Sequence, residues 1–81
     1  MPPEYFGTAV ARRVRGECRA RRGELAGAEA DLLAAYPVFV GQIGETSPRA
    51  SEIRALLADV CERTGRRDEA AKWRAAPDAT H

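Results

Sequence analysis

Residues 23–36 read GELAGAEADLLAAY, and the pattern that opens this stretch occurs twice in the chain. Gly23 precedes Ala28 by five positions, and Gly65 precedes Ala70 by the same distance in GRRDEAAKWRA. The two glycines are 42 residues apart. A fixed period of about 20 to 50 residues is typical of repeat architectures, in which each repeat is one supersecondary unit. The stretch therefore predicts a fold built from two copies of one unit.

The composition favours helix throughout. The chain has 81 residues and a formal net charge of +1, and Lys72 is its only lysine among thirteen basic residues. Alanine is abundant and β-branched residues are few, which favours helical over extended backbone. The arginine and alanine bias is typical of GC-rich bacterial genes. At this length a single hydrophobic core supplies only a few kcal/mol of net stability, so we expect one small domain.

Cysteine usage and hydropathy predict a cytoplasmic protein. Cys18 and Cys61 are too few and too widely separated for a disulfide framework or a zinc site. No run approaches 18 apolar residues, and the N-terminal MPPEYFG lacks the basic and apolar regions of a signal peptide. His81 is the only histidine and the last residue, so we do not expect it to bind a metal or act as a base. The sequence predicts no metal, no cofactor and no membrane segment.

The first half of the chain predicts two helices joined at Gly23. The first runs from about Thr8 to Arg22, with a thin apolar stripe of Val10, Val14 and Cys18. The second starts just after Gly23 and has apolar residues at three-to-four spacing: Leu25, Ala28, Leu32, Ala35 and Phe39. Pro37 lies inside this pattern, where it removes a backbone hydrogen bond, so we expect a kink or an early end.

The second half predicts two more helices after a linker over residues 41–47. Ser47 is a good N-cap and Pro48 suits the first helical position. The third helix carries apolar residues at helical spacing and ends at Gly65, which supplies a left-handed residue; these apolar residues are Ile53, Leu56, Leu57, Val60 and Cys61. The fourth helix spans about Arg67 to Ala76, before Pro77.

Short turns between helices make sequence neighbours antiparallel. The predicted fold is therefore all-α, a single domain of two stacked antiparallel helical hairpins. The first hairpin covers about 8–41 and the second about 48–76, and we expect the tail over 77–81 to be frayed.

Two segments carry a family resemblance. RGECRARRGELAGAEADLLAAY and GETSPRASEIRALLADVCERTGRRDEAAKWRA resemble tetratricopeptide repeats, and most closely the type with a period of about 42 residues found in kinesin light chains and at the C-termini of bacterial regulatory proteins. Overlaying Gly23 on Gly65 brings Gly16 over Ala58 and Ala28 over Ala70. In that family small residues at these positions let the two helices approach closely.

The resemblance implies a function in protein–protein interaction, with the stacked first helices lining a concave groove that binds a protein or peptide. Carried over by position, the groove residues are Val10, Arg13, Glu17, Arg21, Glu52, Ala55, Asp59 and Glu62. The chain then corresponds to the C-terminal part of a repeat array. The arrangement lacks the lysine and asparagine clamp that some members use for a C-terminal carboxylate, so the ligand stays open.

Arg15 and Arg19 depart from the family pattern, which usually has leucines there. Either their aliphatic stems lie along the neighbouring helix with the charged ends in solvent, or the first helix packs loosely. Two hairpins with open ends also predict a domain that is marginally stable alone or that self-associates.

The alternative function is nucleic-acid binding through the basic stretch from Arg12 to Arg22, which holds six arginines and only Glu17 as an acid. No aromatic residue is interleaved for base stacking, and the arginine positions run around the helix, so we favour a solvated or partner-facing surface. Cys18 and Cys61 are interpreted as small buried residues, and Trp73 as packing over the end of the core. No catalytic constellation is recognisable: Glu17, Asp59 and Glu62 each have an arginine one turn on, which favours surface ion pairs. We therefore expect no enzyme.

Overall fold

The computed structural model describes residues 3–44 and 46–75, with side chains described from residue 6 onward. The described chain contains four α-helices and confirms the all-α prediction; they are α1 (Pro3–Arg21), α2 (Leu25–Ile43), α3 (Pro48–Arg63) and α4 (Arg67–Arg74). Helix α1 packs against α2, and α3 packs against α4. Helix α3 also lies against α2 and touches α1. The molecule is thus two helical hairpins, one stacked on the other.

The two hairpin turns have the same hydrogen-bonded geometry. Gly23 and Gly65 both have φ of +83°, in the left-handed region that favours glycine. At the first turn the amide of Glu24 donates to the carbonyl of Arg19 (2.8 Å), and at the second the amide of Arg66 donates to the carbonyl of Cys61 (2.8 Å). This is the Schellman pattern of helix termination. The repeat seen in the sequence is therefore a repeat of local structure.

Helices α1 and α2 are both longer than predicted, and one contact accounts for this. The rings of Phe6 and Phe39 lie 5.0 Å apart between centroids. Phe6 precedes the predicted start at Thr8, and Phe39 follows Pro37 and is fully buried. Burying a phenylalanine side chain contributes about 1.5–3 kcal/mol, which offsets most of the roughly 3 kcal/mol that a proline inside a helix costs. The helix continues through Pro37 to Ile43, so of the two predicted alternatives, a kink or an early end, the early end is excluded.

The start of α3 follows the sequence prediction. The hydroxyl of Ser47 accepts a hydrogen bond from the amide of Ala50 at 3.2 Å, and Pro48 is the first helical residue. At the other end of the second hairpin, α4 ends at Arg74. The predicted end at residue 76 and the predicted frayed tail over 77–81 lie outside the described residues.

The face that α1 buries differs from the predicted one. Val14 is 47% exposed and Cys18 is exposed, so the expected stripe is wrong at these two residues, whereas Val10 packs against the core as predicted. The residues that face α2 are small instead: Ala9, Gly16 and Ala20. Small residues let the two helices approach closely, and the large buried side chains come from α2 and α3. These are Leu32, Phe39, Ile53, Leu57 and Val60.

Among the described residues, no helix combines the length and the apolar character that crossing a bilayer requires.

Candidate functional site

A groove lies between α1 and α3, the first helices of the two hairpins. Its cavity measures about 220 Å³ and is lined by Arg13, Glu17, Glu52, Ala55 and Leu56. The lining residues come from two helices that are far apart along the chain, and the stacking of the two hairpins brings them together. We call this the α1–α3 groove.

The structure places half of the eight predicted site residues in this groove: Arg13, Glu17, Glu52 and Ala55. Val10 is half-buried and packs against the core. Leu56 packs against the core, as its spacing in the sequence predicted, and also lines the groove. The remaining three predicted residues, Arg21, Asp59 and Glu62, lie outside the cavity lining and form ion pairs.

Arg13 is the central side chain of the groove and has weak hydrogen bonding. Its side chain is 16% exposed, and Nη1 lies 3.5 Å from Oε1 of Glu17 and 3.9 Å from Oε1 of Glu52. Both distances exceed those of a good hydrogen bond. Within the described part of the chain, its buried Nε has no hydrogen-bond partner. A poorly satisfied, largely buried guanidinium costs free energy, which a ligand oxygen in the groove would recover.

Glu52 faces the groove from α3 and keeps its carboxylate accessible. Its side chain is 58% exposed, and 3.9 Å separates it from Arg13. At that distance the pair is held by charge alone, which water and salt screen. A basic group on a ligand could therefore bind Glu52 without first breaking a hydrogen bond.

Exposed ion pairs lie at the end of α1 and α3 near the glycine turns. Arg21 donates to Glu17 at 2.8 Å, and Arg63 lies 3.1 Å from Asp59. Arg63 also donates from Nη1 to the carbonyl oxygen of Ala20 at 2.7 Å, which joins α3 to α1. The predicted surface pairing of Glu17 and Asp59 with an arginine one turn on is confirmed.

Glu62 pairs differently from the prediction. Its carboxylate accepts a hydrogen bond from Arg74 of α4, and this bond lowers the pKa of Glu62. The expected partner, Arg66, instead binds Glu29 of α2 through two bonds of 2.6 and 2.9 Å. Sequence spacing missed both contacts because they join different helices.

The two cysteines have opposite environments. Cys61 is fully buried, as predicted, whereas Cys18 is exposed, so its interpretation as a core residue is wrong. Burial raises the pKa of the Cys61 thiol, which disfavours the nucleophilic thiolate.

Cys61 lies beside two carboxylates, which sequence spacing did not indicate. The sulfur and the carboxylate oxygens of Glu29 and Glu69 all lie within 4.8 Å of one another. Arg66 already binds both carboxylates, at 2.6 Å from Glu29 and 3.1 Å from Glu69. The guanidinium thus supplies the positive charge that a metal ion would otherwise bring, and the geometry favours a salt-bridge cluster.

Trp73 packs in the core between the hairpins. Its ring meets Tyr36 of α2 edge-on, with centroids 5.3 Å apart, and it contacts both groups of buried residues. Its carbonyl accepts a hydrogen bond from Arg54 at 3.3 Å. These contacts support its interpretation as a packing residue at the end of the core.

Arg15 and Arg19, which stand where leucines are usual, bind one carboxylate on α2. Arg15 donates to both oxygens of Asp31 at 3.0 Å, and Nη1 of Arg19 lies 3.3 Å from the same group. Both the guanidinium and Cδ of Arg19 lie over Gly27, so this side chain does lie along the neighbouring helix. The charged ends bind Asp31, which is only 5% exposed, and α1 packs closely and not loosely.

No protein-family model, curated protein or solved structure matches this chain.

Proposed function

We propose that this domain is a non-catalytic protein–protein interaction module that binds a peptide or protein segment in the α1–α3 groove. The observation that carries the proposal is Arg13, a largely buried guanidinium whose Nη1 lies at long distances from Glu17 and Glu52. The cost of leaving such donors poorly bonded is recovered when a ligand supplies an acceptor. A site of this kind gains more from binding than a surface whose charges are already satisfied.

The chemistry of the groove favours a peptide with a basic side chain. Arg13 can donate to a backbone carbonyl, while the exposed carboxylate of Glu52 can bind a lysine or arginine. Ala55 and Leu56 supply an apolar surface between them. A peptide backbone offers carbonyls at regular spacing, so one extended or helical segment can meet both charged groups.

The sequence resemblance to tetratricopeptide repeats supports the same proposal. That family binds peptides in a groove formed by its first helices, which is where four of the eight carried-over residues lie. The two identical glycine turns support a repeated hairpin unit. The proposal also includes that this domain forms the C-terminal end of a repeat array. It further includes that the protein is cytoplasmic, which the free thiols of Cys18 and Cys61 support.

The experiment is selection of peptides from a displayed random library on the purified protein, followed by affinity measurement on variants. Glu52→Lys reverses the charge at the groove and should weaken the selected peptides at least tenfold. Asp68→Lys makes the equivalent change at an exposed residue of α4 outside the groove and should change affinity less than twofold.

Circular dichroism of both variants confirms that they are folded. Peptides that bind Glu52→Lys as well as they bind the wild type would contradict the groove as the binding site. A selection that enriches no peptide would contradict the proposed function itself.

A further inference from the structure

A second charged surface lies on the side of the first hairpin that faces away from α3. Arg12, Arg15 and Arg19 of α1, with Arg22 in the turn that follows, lie at intervals of three and four residues, so they extend along one side of the first hairpin over about 15 Å. The six arginines of the stretch run around the helix, as predicted, and these four of them share one side. Arg13 is on the other side, where it faces Glu52 of α3. We call the four residues, with Ala34 and Val38 of α2, the outer arginine face.

This face keeps a net positive charge after its internal ion pairs are counted. Asp31 binds Arg15 and Arg19, and Glu24 lies 3.8 Å from Arg19 and 3.5 Å from Arg22. Four guanidinium groups therefore meet two carboxylates, and two positive charges stay in excess.

The arginines of the face are held in place but retain donors. A guanidinium carries five N–H groups, and Asp31 uses two of those on Arg15. The side chains of Arg15 and Arg22 are 56% and 68% exposed, respectively. The ion pair with Asp31 fixes Arg15 on the surface, so a partner that binds it loses less side-chain entropy.

An apolar groove runs beside the arginines. It measures about 280 Å³ and is lined by Thr8, Ala9, Arg12, Ala34 and Val38. Its floor is made of alanine and valine side chains, and the volume can take a leucine-sized side chain. We call this apolar groove the slot. The outer arginine face thus combines the slot with a row of positive charges.

We propose that the outer arginine face binds an acidic amphipathic α-helix of a partner protein. Acidic residues spaced three and four apart on that helix match the spacing of the arginines, because both follow the same helical period. An aliphatic residue on the same side enters the slot beside Arg12. This surface is distinct from the α1–α3 groove, and its binding does not depend on the function proposed for that groove.

Two other occupants fit less well. Nucleic acid has no leucine-sized aliphatic group for the slot, and the face lacks an aromatic side chain for base stacking among its defined residues. A second copy of this chain would have to present acidic residues spaced three and four apart along one helix. On α3, Asp59 and Glu62 are already bound to Arg63 and Arg74, and the accessible Glu52 lies seven residues from the nearer of them. A helix of a different protein satisfies both the charge and the slot.

The test uses two synthetic peptides of about 18 residues, which form five helical turns. One carries glutamate and leucine at helical spacing, and the other has lysine in place of every glutamate. Fluorescence anisotropy of the labelled peptides measures binding to the full chain. We expect the glutamate peptide to bind at least tenfold more tightly, with affinity falling as salt is raised.

Two double variants locate the binding surface. Arg12→Ala with Arg22→Ala removes two exposed charges from the face and should weaken the glutamate peptide at least tenfold. Arg49→Ala with Arg67→Ala removes the same charge from exposed positions on α3 and α4 and should change affinity less than twofold. Glu52→Lys should not change the affinity for the glutamate peptide, because Glu52 lies in the α1–α3 groove and not on the outer arginine face. This variant therefore distinguishes binding at the two surfaces.

Three results would overturn the proposal. One is equal affinity for the two peptides, and another is an equal loss in the two double variants. The third is an occupant of another class that binds more tightly through Arg12 and Arg22. A duplex DNA of about 20 base pairs serves as the nucleic-acid probe, and sedimentation of the protein alone reports self-association. If the wild type binds this DNA more tightly than the glutamate peptide and the Arg12 and Arg22 double variant loses that binding, nucleic acid is the occupant. If the wild type self-associates and the double variant does not, the occupant is a second copy of the chain.

Discussion

A Cβ atom added to Gly16 would lie 2.9 Å from Cγ of Leu32 and 3.3 Å from the carbonyl oxygen of Ala28. Real Cβ atoms do not approach a branched carbon that closely, and Leu32 is fully buried and cannot move aside freely. The distance between α1 and α2 is therefore set by the absence of a side chain at Gly16.

Gly16→Ala should destabilise the domain. Overpacking a core costs about 1–3 kcal/mol, which exceeds the gain of about 1 kcal/mol from replacing glycine by alanine inside a helix. Gly7→Ala is the matched control, because Gly7 is also in α1 and has open space around it. Denaturant melts should show a lower free energy of unfolding for Gly16→Ala and a higher one for Gly7→Ala. Stabilisation by both would mean that α1 and α2 are not in close contact.

Ala70→Leu should cost about 1–3 kcal/mol of unfolding free energy, since Ala70 is almost completely buried between α3 and α4. Ala71→Leu, one position on in the same helix, changes an exposed residue and should have a much smaller effect. The measurement is a pair of urea titrations on the two variants. Equal midpoints would contradict the role of Ala28 and Ala70 as equivalent steric positions.

The stability of the first hairpin should fall in acid because of Asp31. The hydrogen bonds from Arg15 hold the pKa of Asp31 below its ordinary value. The folded pKa of Asp31 therefore lies below the unfolded value of about 3.9. The stabilisation that its ion pair gives to the folded state is complete above the unfolded value and is lost as the pH falls through the folded pKa. Asp31→Asn should therefore be less stable than the wild type at pH 7, and the difference should shrink as the pH is lowered.

Glu24→Gln is the control for this pH experiment, since Glu24 lies at 3.5 and 3.8 Å from its arginines and makes weaker pairs. Thermal melts between pH 7 and about pH 3 are the measurement, with the lower limit chosen below the unfolded value of an aspartate. A constant difference between wild type and Asp31→Asn over that range would show that the ion pair does not titrate.

The two cysteines should react at very different rates with a thiol reagent. Cys18 is exposed, whereas Cys61 is fully buried and its pKa is raised by that burial. Under native conditions one thiol per chain should react rapidly, and the second only after denaturant is added. Cys18→Ser should abolish the fast reaction. Rapid labelling of Cys61 in that variant would mean that α3 and α4 separate readily.

Local signals account for most of what the sequence predicted correctly. The turns at Gly23 and Gly65 and the cap at Ser47 depend on residues within one turn of the chain, so their types identify them. Four groove residues were predicted by carrying the family resemblance over position by position, and of the pairs related by the period of 42 only Arg13 and Ala55 both line the groove. The helix count and the stacking of two hairpins rest on the same signals.

Contacts between helices account for what the sequence did not predict. Shifting by the period places Arg15 over Leu57 and Asp31 over Trp73. In the second hairpin those positions are apolar core residues, whereas in the first they form an ion pair on an outward face. The sequence shows Arg15 as a departure from the family pattern, but it does not show that Asp31 on another helix is the partner of Arg15. The apolar spacing of α1 predicts Val14 in the core. Helix α1 instead buries alanine and glycine, whose small side chains give no clear hydrophobic pattern in the sequence.

The arginine contacts at the glycine turns also decide how the domain can deform. Arg63 ties α3 to the carbonyl of Ala20, and Arg66 ties the start of α4 to Glu29, both near the two turns. The opposite end of the stack is joined by the linker between Ile43 and Pro48. The two hairpins are therefore joined at both ends of the stack, by the chain itself at one end and by arginine side chains at the other. Only the turn end can loosen without breaking a covalent connection, and it does so when the contacts of Arg63 and Arg66 are lost.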